Sequence, residues 1–154
     1  SPRLFLVKGH VVWTIPPLAD SSVVSSIAST SMDQHYNHPL HMTGKIAIVQ
    51  RGKIPIATKV IHVQRAGAIA CIVLDNGICH DFDQHCVPGS DKKKGDRFAV
   101  SDNPVEWAQV RIPVVLMKSS DVTQFLSVVK LPSFEELLDS LDILKSSKHL
   151  HSEL

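Results

Sequence analysis

The sequence predicts an α/β domain built around a parallel βαβ unit. Three observations predict it: a continuous apolar run, Ile46-Ala47-Ile48-Val49, between Gly44-Lys45 and Arg51-Gly52; a second run from Ala68 to Leu74 that ends at Asp75-Asn76-Gly77; and, between the two, apolar residues at helical spacing. Unbroken apolar runs of this length suit strands buried on both faces. Two such strands joined by a helix within about 30 residues run parallel, with a right-handed crossover.

In the helix, Pro55 stands in the first turn, where its missing N–H costs nothing. Ile56, Val60, Val63 and Gly67 follow at helical spacing, Ala57, Ile61 and Ala66 widen the stripe, and Gly67 is placed to stop it. Upstream, Leu4-Phe5-Leu6-Val7 and Val11-Val12-Trp13-Thr14-Ile15, split by Lys8-Gly9-His10, predict two short strands joined by a turn, the second ended by Pro16-Pro17. Residues 18–42, rich in Ser, His, Asp and Thr, read as loop with one short element around Val23 to Ile27.

Residues 75–109 form a polar stretch well beyond the roughly 12–15 residues after which a structureless loop is functional or disordered. A strand is predicted over Val110 to Met117, with Pro113 placing its early part at an edge or bulge. Ser119 or Ser120 can cap a following helix in which Val122, Phe125, Leu126 and Val129 share a face. Ser133 with Glu136 makes a capping box ahead of the stripe Phe134, Leu137, Leu138, Leu141 and Leu144. The expected organisation is a domain over residues 1–131 followed by an amphipathic helix and tail over 132–154.

Composition bounds the function. With 154 residues, 44% hydrophobic and 20% charged, the chain has the makeup of an ordinary globular domain with a real core. A net charge of +1, with Lys and Arg spread out except at Lys92-Lys93-Lys94, makes no field that points to nucleic acid. No apolar run approaches the roughly 18 residues that cross a bilayer, so no direct membrane insertion is expected. Ser1-Pro2 carries neither an initiator Met nor a signal-peptide pattern, so the chain reads as processed or cut from something longer. No Asn-x-Ser/Thr sequon occurs, and the three cysteines, Cys71, Cys79 and Cys86, suffice for one bridge and one buried thiol.

The segment Gly44-Lys45-Ile46-Ala47-Ile48-Val49-Gln50-Arg51-Gly52, followed by Ala57, Lys59, Val63, Gln64, Ala66-Gly67-Ala68 and Ile72-Val73, resembles the signature of the protease-associated domain family: G-K-I-A-L-V-x-R-G, an A-x-K helix, then A-G-A and an apolar strand. Ile112-Pro113-Val114-Val115 and the helix with Leu126 resemble its later strand and closing helix, so the likeness spans roughly residues 4 to 130. It implies a small sheet sandwich with flanking helices, without catalytic residues or cofactor. Such modules are carried by proteases, RING ubiquitin ligases, sorting receptors and mannosidase-like degradation factors of the secretory pathway, where they bind or position protein partners. A luminal, endomembrane or extracellular location follows from the same resemblance. Many members carry a cysteine pair where this chain has Ser21-Ser22 and Ile54.

Arg51-Gly52 lies at the strand-to-helix junction. As structure, Gly52 permits a tight turn and Arg51 bonds nearby carbonyls or a carboxylate; as function, open α/β sheets place ligand sites beyond the carboxyl ends of their strands. Candidate partner contacts are Arg51, Gly52, Asn76, His80, His85, Lys92, Lys93, Lys94 and Trp107, with a protein or peptide, or a neighbouring domain of the same host, as partner. Cys79, His80, His85 and Cys86 allow three readings: a Cys79–Cys86 disulfide, plain surface residues, or a zinc site, the last extending to a metal-dependent hydrolase although no H-E-x-x-H or G-x-S-x-G is present. His35, His38 and His41, beside Pro39, read as a solvated loop in preference to a zinc site, which needs fixed geometry and a second shell; protonation near pH 6 would make that loop acid-sensitive. Cys71 reads as a buried small hydrophobe. The closing His151-Ser152-Glu153-Leu154 resembles a retrieval tetrapeptide with Ser152 in place of its acidic residue.

Overall fold

A computed structural model describes residues 6–26, 42–76 and 104–142. They contain strands β1 (Val11–Ile15), β2 (Val24–Ser25), β3 (Ile46–Gln50), β4 (Ala70–Leu74) and β5 (Val114–Met117). The helices are α1 (Ile56–Arg65), the single turn α2 (Pro104–Trp107) and α3 (Ser119–Val129), and residues 134–142 are also helical. The strands form one mixed sheet in the order β2-β1-β3-β4-β5, parallel except for the β1–β2 pair. The expected α/β class and the parallel βαβ unit β3–α1–β4 are both present, with Ile46 opposite Ala70 and Gln50 opposite Leu74.

The period-2 alternation of the strands decides what α1 covers. Val12, Ala47, Val49, Cys71 and Val73 project to one face, and Ile56, Val60 and Val63 of α1 pack against them in a single buried cluster. Helix α1 ends in a Schellman arrangement: the Gly67 N–H bonds the Gln64 carbonyl and the Ala68 N–H bonds the Val63 carbonyl, both at 3.0 Å. Gly67 sits at φ +101°, and a Cβ there would lie 2.8 Å from Thr43 Oγ1 and 3.0 Å from Thr43 Cα. Positive φ and close backbone approach both demand glycine, so Gly67→Ala is expected to lower unfolding free energy by about 1–3 kcal/mol in a urea titration.

Five sequence expectations shift. Leu6 and Val7 belong to no strand, and Leu6 is 86% exposed, while Leu4 and Phe5 lie outside the described residues. Pro55 is the N-cap of α1 rather than its first residue. Strand β4 begins at Ala70 because the Ala68 N–H closes the helix and the Ile69 N–H bonds the Lys45 carbonyl. Strand β5 begins only after Pro113, and α2 stands inside the stretch read as loop.

The chain divides into two compact units, residues 1–122 and 123–154, with the boundary inside α3. In the second unit α3 also closes in a Schellman arrangement: the Leu131 N–H bonds the Leu126 carbonyl at 2.9 Å and the Lys130 N–H bonds Ser127 at 3.2 Å. Lys130 adopts φ +58° there. Lys130→Gly is expected to raise stability by about 0.5–1 kcal/mol, read as a higher melting temperature. The capping box forms, the Glu136 N–H bonding Ser133 Oγ at 3.1 Å.

Candidate functional site

The carboxyl ends of β1, β3 and β4 lie side by side, and the residues that follow them form one rim. Because Gln50 is opposite Leu74, the next residues, Arg51 and Asp75, are neighbours. Arg51 Nη1 donates to Asp75 Oδ1 at 3.0 Å, and both side chains are buried, at 6% and 2% exposure. Their backbones are tied in as well: the Arg51 N–H bonds the Leu74 carbonyl at 3.0 Å and the Asp75 N–H bonds the Met117 carbonyl at 2.9 Å. Asn76 Nδ2 reaches the Arg51 carbonyl at 3.5 Å. Beyond Arg51 the chain turns tightly, with Gly52 at φ +126° and Lys53 at φ +71°, closed by a Gly52–Ile54 bridge.

A second charged cluster links this turn to the segment after β1. Lys53 Nζ pairs with Asp20 at 2.6 Å, and that bond is the main cause holding the Asp20 carboxyl below its ordinary range. Lys59, on α1, is fully buried and its Nζ donates to the Leu18 carbonyl. Desolvation lowers the Lys59 amine from 10.5 to about 8, opposed by the charges of Asp20 and Cys71 and assisted by Lys53. One turn on, His62 Nδ1 is 2.7 Å from the Ala19 carbonyl. A carbonyl only accepts, so this nitrogen carries the proton. Burial pushes the Cys71 thiol up to about 12, a value that suits an inert core residue rather than a nucleophile.

Of the sequence candidates, Arg51, Gly52 and Asn76 come together at this rim. Trp107 does not join them. It is half-buried against the core beside the last turn of α1, where the Gln64 side chain bonds the Gln109 carbonyl at 2.9 Å and the Arg111 N–H at 2.6 Å, at the amino end of the sheet. His35, His38, His41, Cys79, His80, His85, Cys86, Lys92, Lys93, Lys94 and the tetrapeptide at 151–154 lie outside the described residues. Among the described residues no group of three or more His, Cys, Asp or Glu could hold a metal ion, and no helix is long and apolar enough to cross a membrane.

Sequence reasoning missed three residues of the rim and the charged cluster beside it. Lys59 falls between Ile56 and Val63 on the apolar stripe of α1, and that spacing is the signal that it is buried. Asp75 was visible as the residue that follows β4 directly, as Arg51 follows β3. Asp20 carried no signal, because its position depends on the fold of the segment after Pro17.

The PA domain family model matches residues 7–125. Among curated proteins, the chain is similar to ER degradation-enhancing alpha-mannosidase-like protein 3 of Homo sapiens, with 28% identity over 126 residues, which is 82% of this chain and 12% of that protein. No solved structure matches. The chain thus covers a small part of that relative's length. With a family match extending from before β1 into α3, over the whole sheet and the βαβ unit that carries the rim, the chain belongs to the PA domain family.

Proposed function

We propose that this chain is a non-catalytic accessory domain of a larger secretory-pathway protein, and that it meets a protein or peptide partner with the rim formed by residues 51–54 and Asn76. The observation that supports this reading is the inward use of charge at the strand ends. Arg51 and Asp75 pair with each other and Lys59 bonds a backbone carbonyl, an arrangement that stiffens loops for recognition. Lys53, paired with Asp20 at 2.6 Å, keeps a side chain 64% exposed and so lies on the outer surface of the rim. The likeness to a mannosidase-like degradation protein supports a luminal host. The helix from residue 134 onward is a further candidate for contact with a neighbouring domain, as a separable appendage after residue 131.

The reading is tested by placing a photo-crosslinking amino acid at Lys53, and separately at exposed Lys8 near the opposite end of the sheet, in the full-length host within the secretory pathway. A protein adduct from position 53 and none from position 8 is expected. Equal adducts from both, or adducts from position 8 alone, count against the rim.

A further inference from the structure

The strand order β2-β1-β3-β4-β5 has a reversal between β1 and β3: β1 hands on to β2 at one side, while β3 hands on through α1 to β4 at the other. Open α/β sheets hold their ligands in the crevice at the carboxyl side of such a reversal. In this chain that place is taken by residues 17–20. Three consecutive carbonyls each receive one donor from the surrounding walls. The Gln50 N–H at the end of β3 bonds Pro17 at 2.8 Å, Lys59 Nζ bonds Leu18, and His62 Nδ1 bonds Ala19 at 2.7 Å. The Asp20 carboxylate then takes Lys53 from the turn after β3. Pro17 and Ala19 are buried, and Ala19 holds the left-handed value φ +48°, a conformation alanine adopts only against a cost. The donors are therefore holding a strained piece of backbone in place.

We propose that Pro17–Asp20 is a strap, an internal peptide occupying the crevice that open α/β sheets leave for a ligand, and that Lys59 is the positioning residue that keeps it seated. The walls recognise the strap as a peptide site would, one donor per carbonyl. When it lifts, the Gln50 N–H, the Lys59 ammonium and the His62 Nδ1–H face the vacated crevice together, a donor set suited to a peptide backbone or carboxylate. The strap does not depend on a partner at the rim, since its three carbonyls are held by α1 and the end of β3; the Lys53–Asp20 pair is the contact it shares with the rim.

Amide hydrogen exchange on the full 154-residue chain tests it. The Ala19 N–H, bonded to Pro16 at 2.9 Å, and the Gln50 N–H report on the strap; the Ile46 N–H, bonded to His10 at 2.8 Å, and the Cys71 N–H, bonded to Pro113 at 2.9 Å, report on the sheet. In Lys59→Met the strap amides are expected to exchange roughly tenfold or more faster than in the wild type, the range for loss of a hydrogen bond to a charged group, while the sheet amides change by less. Lys53→Ala, at an exposed site that leaves the core intact, is expected to speed the strap amides by about two- to fivefold and leave the sheet amides unchanged. Uniform acceleration of all four amides in both variants, or unchanged strap amides in either, overturns the proposal. If Lys59→Met fails to fold, Lys53→Ala decides alone by the same criterion.

Discussion

Asp75→Ala is expected to cost about 3–5 kcal/mol of unfolding free energy, the largest effect of any single substitution at the rim. The guanidinium of Arg51 is buried and bonded to the Asp75 carboxylate at 3.0 Å. Removing the carboxylate leaves a cation in a site where water cannot replace it, and that desolvation is what the unfolding free energy records. The pair itself is another matter. Two charges taken out of water and returned to each other come out near balance, so the double variant Arg51→Met with Asp75→Leu is expected to recover most of the loss. Urea titration of wild type, single and double variants separates the two effects. A single variant as damaging as the double would show that the cost lies in lost packing rather than in the buried charge of Arg51.

The second large effect is a stability profile with an unusual shape at alkaline pH. Lys59 titrates at about 8 in the folded chain against 10.5 as an ordinary lysine. Between those values the unfolded chain binds more protons, so Lys59 raises stability as pH climbs, by about 1.4 kcal/mol per unit and about 3 kcal/mol in all. Cys71 acts with the opposite sign. Its thiol is held up to about 12 against an ordinary 9.0, so above pH 9 the unfolded chain has lost a proton that the folded chain keeps, and stability falls. The sum is a rise from pH 8 to 9, a plateau to about 10.5 where the two cancel, and a decline beyond. Lys59→Met is expected to abolish the rise and unmask the decline from pH 9, whereas Cys71→Ala is expected to extend the rise to 10.5. Denaturant midpoints at half-unit steps from pH 7.5 to 10.5 read both; a flat wild-type profile from 8 to 9 would show that the Lys59 amine is not held in a low-dielectric site.

The elements legible in the sequence are those whose signal is local. Ile46 to Val49 and Ala70 to Leu74 are unbroken apolar runs, and the stripe Ile56, Val60, Val63 with Gly67 as its stop has one helical reading. The run Leu4 to Val7 carries the same local signal as β1, yet Leu6 is exposed and in no strand, because a strand also needs a partner to pair with, which an apolar run alone does not specify. The site was legible only in part for a similar reason. Arg51, Gly52 and Asn76 could be placed by their position after strands, but their partners depend on register. Arg51 meets Asp75 because Gln50 and Leu74 align across two strands 24 residues apart. Lys59 meets Leu18 and His62 meets Ala19 across 41 and 43 residues. Contacts of that separation leave no periodicity to read. The capping box at Ser133 and Glu136, by contrast, lies within one turn and formed as the spacing indicated.

The interaction role is tested most directly by hydrogen exchange of the domain within its full-length host, with and without the partner captured by crosslinking at position 53. Protection on binding at residues 51–54 and at Asn76, with residues 8–10 and 43–45 unchanged, is the expected result. Protection at 8–10 and 43–45 with the rim unchanged would contradict it, and would move the contact surface to the opposite end of the sheet.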